Sequence, residues 1–86
     1  MSDPVRITVR YFAAARAAAG AERETLSLTR GSTVADLVGQ LSGRDRELAR
    51  VLGRCSYLCD GTAVRNPAVV LSAGQTIDVL PPFAGG

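Results

Sequence analysis

The fold these 86 residues predict is an α+β domain, one mixed sheet wrapped round a single main helix. Three observations carry that expectation. A strictly alternating segment opens the chain, a well-signed amphipathic helix occupies its middle, and further strand signals follow the helix. Two strands before one helix and two or more after it is the order of an α+β sheet, not of alternating βαβ units.

Val5, Ile7, Val9 and Tyr11 alternate with Arg6, Thr8 and Arg10, the period of a strand with one buried face. Phe12 to Ala19 is alanine-rich, carries Arg16 and is closed by Gly20, so it reads as a short helical turn between two strands. Residues 22–28 resume a weaker alternation, with Leu26 and Leu28 expected inward and Glu22 and Glu24 toward solvent. Gly31, Ser32 and Thr33 mark a turn and a helix cap, and Asp36, three residues after Thr33, approaches a capping box. Val34, Leu37, Val38 and Leu41 then form one apolar stripe, and Gly43 stops the helix. A second helical piece, residues 45–52, carries Leu48, Val51 and Leu52 on one side and stops at Gly53.

Cys55, Tyr57 and Cys59 alternate with Ser56, and Asp60-Gly61 is a two-residue hairpin signal before Thr62 to Val64. Asn66-Pro67 interrupts, Val69 to Leu71 is expected back in the core, and Ala73-Gly74 turns the chain into a last strand, Gln75 to Leu80. Ile77 and Val79 should face inward there. The domain is therefore expected over residues 1–80 and a tail over 81–86, with no internal repeat, linker or low-complexity segment.

A chain of this length has room for one core, and so small a domain offers only shallow clefts, which moves function to a surface or a terminus. The ten basic residues are all arginines, scattered from Arg6 to Arg65 for a net charge of +2, which is no nucleic-acid footprint. There is no lysine to form a Schiff base or accept an isopeptide bond, and no histidine to act as general base or metal ligand. No stretch approaches the roughly 20 apolar residues that cross a bilayer, and Asp3 and Pro4 stand where a signal peptide needs basic and apolar residues. A cytoplasmic protein with no membrane partner is expected, its two cysteines thiols.

Cys55 and Cys59 are four apart, without the spacing or the further ligands of a zinc site, so no metal is expected. Both fit better as small buried hydrophobes on one strand face. Hairpin chemistry accounts for Asp60 without a catalytic role. Arg44, Arg46, Arg50 and Arg54, with Asp45 and Glu47, read as a solvated helical face, with contact to an acidic partner as the alternative.

The chemistry concentrates in the tail, Pro81-Pro82-Phe83-Ala84-Gly85-Gly86. Two prolines cannot donate to a sheet ladder and prefer extended backbone, so the chain is expected to leave the sheet as a stalk. At about 3.3 Å per residue, six residues reach roughly 20 Å. Gly85 and Gly86 have no side chains to obstruct a narrow channel, which suits a terminus that is itself the reactant. A carboxylate adenylated by ATP becomes a mixed anhydride that a sulfur nucleophile attacks, leaving a thiocarboxylate at Gly86. Phe83 is the expected anchor in a partner pocket. A frayed, glycine-rich end without function is the alternative.

The opening VRYFAAARAAAG at 9–20, the helix start STVADLV at 32, the hairpin CDGTAV at 59 and the ending SAGQTIDVLPPFAGG together resemble the MoaD/ThiS family of ubiquitin-like sulfur carriers. Within that family the resemblance is to molybdopterin synthase small subunits of the actinobacterial type. It implies a β-grasp fold and a Gly86 that a partner related to ubiquitin-activating enzymes adenylates with ATP, after which a sulfurtransferase supplies the sulfur. It also implies insertion of the tail, Pro81 to Gly85 included, into a molybdopterin synthase large subunit. Sulfur then passes to cyclic pyranopterin monophosphate, two transfers building a dithiolene. Catalytic side chains would belong to the large subunit, with this chain a non-catalytic donor that binds no cofactor, in a heterotetramer.

The family's apolar partner-binding patch corresponds to Phe12, Val64 and Leu80, for which ordinary core or edge packing is the alternative. Arg16 falls where the family often has an arginine, while a solvated helix face explains it equally well. Two other functions stay open: a carrier for thiazole or cysteine synthesis, and a ubiquitin-like modifier or interaction domain.

Overall fold

Strand β1 (Val5–Tyr11) buries Val5, Ile7, Val9 and Tyr11 and turns Arg6, Thr8 and Arg10 to the opposite face. The computed structural model describes residues 3–82. Helix α1 (Ala13–Ala19) follows directly, buries Ala15 and ends at Gly20, whose φ of 74° is the left-handed conformation that closes a helix. Strand β2 (Arg23–Leu28) returns antiparallel to β1, in a register that sets Val9 opposite Glu24 and Val5 opposite Leu28.

Helix α2 (Val34–Ser42) begins with a complete capping box. Thr33 Oγ1 accepts from the Asp36 amide at 3.1 Å, and Asp36 Oδ2 accepts from the Thr33 amide at 2.9 Å. Two amides that no helical carbonyl reaches are thereby satisfied. Replacing Thr33 by Ala should cost about 1 kcal/mol, read as a lower urea midpoint at unchanged slope. An unchanged midpoint would mean the cap contributes nothing. Helix α3 (Arg46–Leu52) is capped by Asp45, whose carboxylate accepts from the Leu48 amide at 3.0 Å.

Strands β3 (Ser56–Cys59) and β4 (Thr62–Ala63) form the hairpin at Asp60-Gly61, with φ of 49° and 83°, both positive as a two-residue turn between twisted strands requires. Strand β5 (Thr76–Leu80) completes a five-stranded sheet of order β2-β1-β5-β3-β4. Here β1 and β5 run parallel at the centre and all other pairs are antiparallel. Central position explains why Ile77 and Val79 are fully buried. They meet Val34, Leu37 and Leu41 of α2, Leu48 and Leu52 of α3, and Leu28 and Leu71 in one core. No helix among the described residues is long and apolar enough to cross a membrane.

The sequence expectation fails at three places. Glu24 does not face solvent: it shares the parity of Leu26 and Leu28 and so points to their side of β2. Its carboxylate is compensated there, accepting from the Tyr11 hydroxyl at 2.6 Å and from Arg44 Nη1 at 3.0 Å. Arg44 is accordingly a tie between the α2–α3 connection and β2, not one more solvated charge. Of residues 69–71 only Leu71 enters the core; Val69 and Val70 remain 47% and 55% exposed, because this segment runs along the start of α2 and bridges Thr33.

The Tyr57 hydroxyl donates to the Leu52 carbonyl at 2.9 Å, and burial pushes its pKa from 10.0 up to about 12. Burial, and then the hydrogen bond to Glu24, also raises Tyr11. The folded state therefore holds these protons above pH 10.0, where the unfolded chain releases them, so their contribution is intact below pH 10.0 and declines as pH rises through about 12. The melting temperature should fall in that window, and Tyr57→Phe should blunt the fall. An equal alkaline slope in that variant would exclude Tyr57 as its source.

Candidate docking surface at the root of the tail

Strand β5 delivers the chain toward its C-terminus along the centre of the sheet. Its last residue, Leu80, pairs with Ser56 of β3, and the Phe12 amide donates to the Val79 carbonyl at 3.2 Å. Phe12 and Leu80 thus lie side by side on the face opposite the helices, each partly exposed. Pro81 is half-buried and Pro82 exposed, neither within a strand. Phe83, Ala84, Gly85 and Gly86 lie outside the described residues.

Next to Phe12 and Leu80 stands a pair that sequence reasoning missed. Arg10 and Asp78 are register partners across the parallel β1–β5 pair, and Arg10 donates to both Asp78 oxygens, at 2.6 and 2.8 Å. Asp78 is only 6% exposed, so the fork-to-carboxylate geometry satisfies an acid that would otherwise be costly to bury. The same guanidinium carbon lies 5.5 Å from the centroid of the Phe12 ring. One arginine therefore braces the ring and caps the carboxylate. Ala13, directly after Phe12, adopts φ of 49°, a left-handed conformation uncommon for alanine, which sets the sharp exit from β1. Leu58, opposite Asp78 on β3, extends this face on its other side.

Beyond the pair lies a shallow concavity of about 510 Å³ lined by Thr8, Arg10, Arg23, Asp60, Thr76 and Asp78. Asp60 does more than turn the hairpin: its carboxylate accepts from the Thr76 amide at 2.9 Å, fixing the loop to β5. The face is thus apolar at the tail root and polar away from it.

Val64 sits elsewhere. Its amide donates to the Tyr57 carbonyl at 2.9 Å, which gives it the parity of Tyr57 and turns it to the helix side, packed against the core. It lines a separate groove of about 520 Å³ with Val34, Val38, Leu52, Tyr57 and Pro67. The structure unites Phe12 and Leu80 and leaves Val64 apart from both. Arg16 is exposed on α1. Cys55, just before β3, and Cys59, at its end, are half-buried free thiols packed against the core, and burial pushes both pKa values up. No group of three or more His, Cys, Asp or Glu among the described residues is placed to hold a metal ion.

A mixed sheet over one main helix, in this strand order, is the ubiquitin-like β-grasp. The ThiS family profile matches residues 9–86, and the chain belongs to that family, the MoaD/ThiS group of ubiquitin-like sulfur carriers. It is 30% identical over 83 residues to the molybdopterin synthase sulfur carrier subunit of Chlamydomonas reinhardtii, covering 95% of this chain and all of that one. Among solved structures it is similar to the HVO 2177 protein of Haloferax volcanii, with TM-score 0.86, 25% identity and coverage of 100% of this chain and 91% of that one. It is also similar to small archaeal modifier protein 1 of Methanosarcina acetivorans, with TM-score 0.81, 25% identity and coverage of 99% and 100%.

Proposed function

We propose that this chain is the sulfur-donating small subunit of a molybdopterin synthase, carrying sulfur as a thiocarboxylate at Gly86. The observation that carries the reading is family membership through residue 86, joined to a relative that bears this name and is matched over its whole length. An activating adenylyltransferase partner lets a Gly86 carboxylate oxygen attack the α-phosphorus of ATP: the bond to AMP forms, the bond to the β-phosphate breaks, and pyrophosphate leaves. A hydrosulfide-class nucleophile delivered by a sulfurtransferase then attacks the carbonyl carbon: the C–S bond forms, the C–O bond to AMP breaks, and AMP leaves with the electron pair. The large subunit receives the loaded tail, Pro81 to Gly85, and supplies the catalytic side chains for transfer to cyclic pyranopterin monophosphate. The carrier itself holds no cofactor and works in the cytoplasm.

The body's role in this scheme is docking. Phe12 and Leu80, beside the point where the tail departs, supply partly exposed apolar surface, and the Arg10–Asp78 pair holds that surface in one geometry. Aromatic anchors of this kind dominate protein interfaces. Phe12→Ser should therefore weaken large-subunit binding by about tenfold or more, at 1.4 kcal/mol per decade, with little change in the unfolding midpoint. Binding unchanged in that variant would remove Phe12 from the interface.

The likeness to an archaeal modifier protein favours a second reading, attachment of the terminus to lysines of other proteins. Intact-mass measurement of the chain from its own cells separates the two. Replacement of one oxygen by sulfur supports the carrier. Amide-linked conjugates without any sulfur-loaded chain support the modifier. Offering the loaded chain to the large subunit with the pterin precursor then tests the pathway: dithiolene formation supports the synthase, whereas label passing only to another acceptor supports thiazole or cysteine synthesis.

A further inference from the structure

An activated acyl group reacts with the best nucleophile within reach, and the side chains that serve best are amines, thiolates and imidazoles. The 86 residues contain no lysine and no histidine. All ten cations are arginines, whose guanidinium stays protonated and does not attack carbonyl carbon. Recognition geometry accounts for only part of that choice. Among the described residues Arg10, Arg44 and Arg50 make ion pairs, with Asp78, Glu24 and Glu47. The other seven are exposed and make none with a described residue, so a lysine would be solvated there equally well.

The two thiols are withdrawn rather than absent. Cys55, just before β3, and Cys59, at its end, are half-buried against the core, and Cys55 Sγ donates to the Val51 carbonyl at 3.2 Å. Burial raises both thiols above their ordinary value, which leaves little thiolate at neutral pH. Cys55 lies close to the root of the tail in sequence register, since Ser56, one residue after it, is the partner of Leu80, while Cys59 is set back opposite Ile77. Proximity would make Cys55 the first internal acceptor if it were exposed.

We propose that the side chains of this chain are closed to acyl transfer from its own activated terminus, so that copies do not acylate their own or one another's side chains. The acyl group is thereby reserved for an external sulfur nucleophile or an acceptor on a different protein. The excluded step is attack of a side-chain amine on the Gly86 carbonyl, in which a C–N bond forms, the bond to the leaving group breaks with its electron pair, and the amine releases a proton. Polymers of this chain, linked terminus to side chain, do not form. The inference rests on the proposed activation of Gly86, but its test does not require the activating enzyme.

The full chain would be prepared with an acetylated amino terminus and Gly86 as a synthetic mercaptoethanesulfonate thioester, incubated at mildly alkaline pH, and followed by intact mass and peptide mapping. The unsubstituted chain should decay to the free acid alone. Arg54→Lys, two residues before the Ser56 that pairs with Leu80, and Arg16→Lys should give at least about tenfold more linked product, mapped to the new lysine. Ser56→Cys, which places a thiol at an exposed position of β3, should exchange with the thioester where Cys55 and Cys59 do not. Comparable linkage in the unsubstituted chain through Cys55 or Cys59 would overturn the proposal, as would lysine variants that hydrolyse without linking. Matching unfolding midpoints would show that all variants keep the fold. Failure of sulfur loading in cells counts against the proposed function and leaves this result standing.

Discussion

Deleting Gly86 is expected to abolish sulfur transfer while the unfolding midpoint stays unchanged. The two effects separate because they depend on different atoms. Among the described residues every core side chain lies between Val5 and Val79, so the deletion takes none of them away. What it changes is the reacting carboxylate, which becomes that of Gly85, one residue or about 3.3–3.6 Å short of the reach that a partner's active site requires. A displacement of even 1 Å from a productive geometry can cost about 100-fold, and a whole residue exceeds that severalfold. Transfer from loaded protein to the pterin precursor is the measurement. Transfer at the original rate by the shortened chain would sink the assignment of Gly86, and with it the proposed chemistry.

The second large effect falls on stability. Ile77 is fully buried at the centre of β5, paired with Val9 on one side and Cys59 on the other. Truncation to Ala leaves a cavity between the neighbouring strands and the helices. A loss of about 2–5 kcal/mol is expected. Against roughly 0.05–0.15 kcal/mol per residue for a natural domain, that removes a large share of the total. Chemical denaturation reads it directly, and a loss under about 1 kcal/mol would mean the core relaxes around the gap. Because Ile77 faces the helices, the folded fraction at low temperature should still dock and transfer. Phe12→Ser should show the opposite pattern, a stable domain that binds poorly.

Much of this architecture was legible because it follows from local rules. The alternation from Val5 to Tyr11, the Thr33–Asp36 box, the stops at Gly20, Gly43 and Gly53, and the Asp60-Gly61 turn each depend on neighbours within a few residues. The misreadings are all long-range. Glu24 looks like a solvent-facing charge until Tyr11, 13 residues away, and Arg44, 20 residues away, are brought to its carboxylate. The Arg10–Asp78 pair spans 68 residues and exists only because β1 and β5 run parallel in register. Val64, which the family resemblance groups with Phe12 and Leu80, is turned by the hairpin register to the other side of the sheet.

The helices, the strands and their ends follow from the chain locally, since helix caps, tight turns and strand periods are set by steric and hydrogen-bonding preferences that act within a few residues. Which charges are compensated, and which apolar residues share a face, is settled by long-range packing. Those outcomes depend on strand order and register, and a shift of one residue in register turns every side chain of a strand to the opposite side.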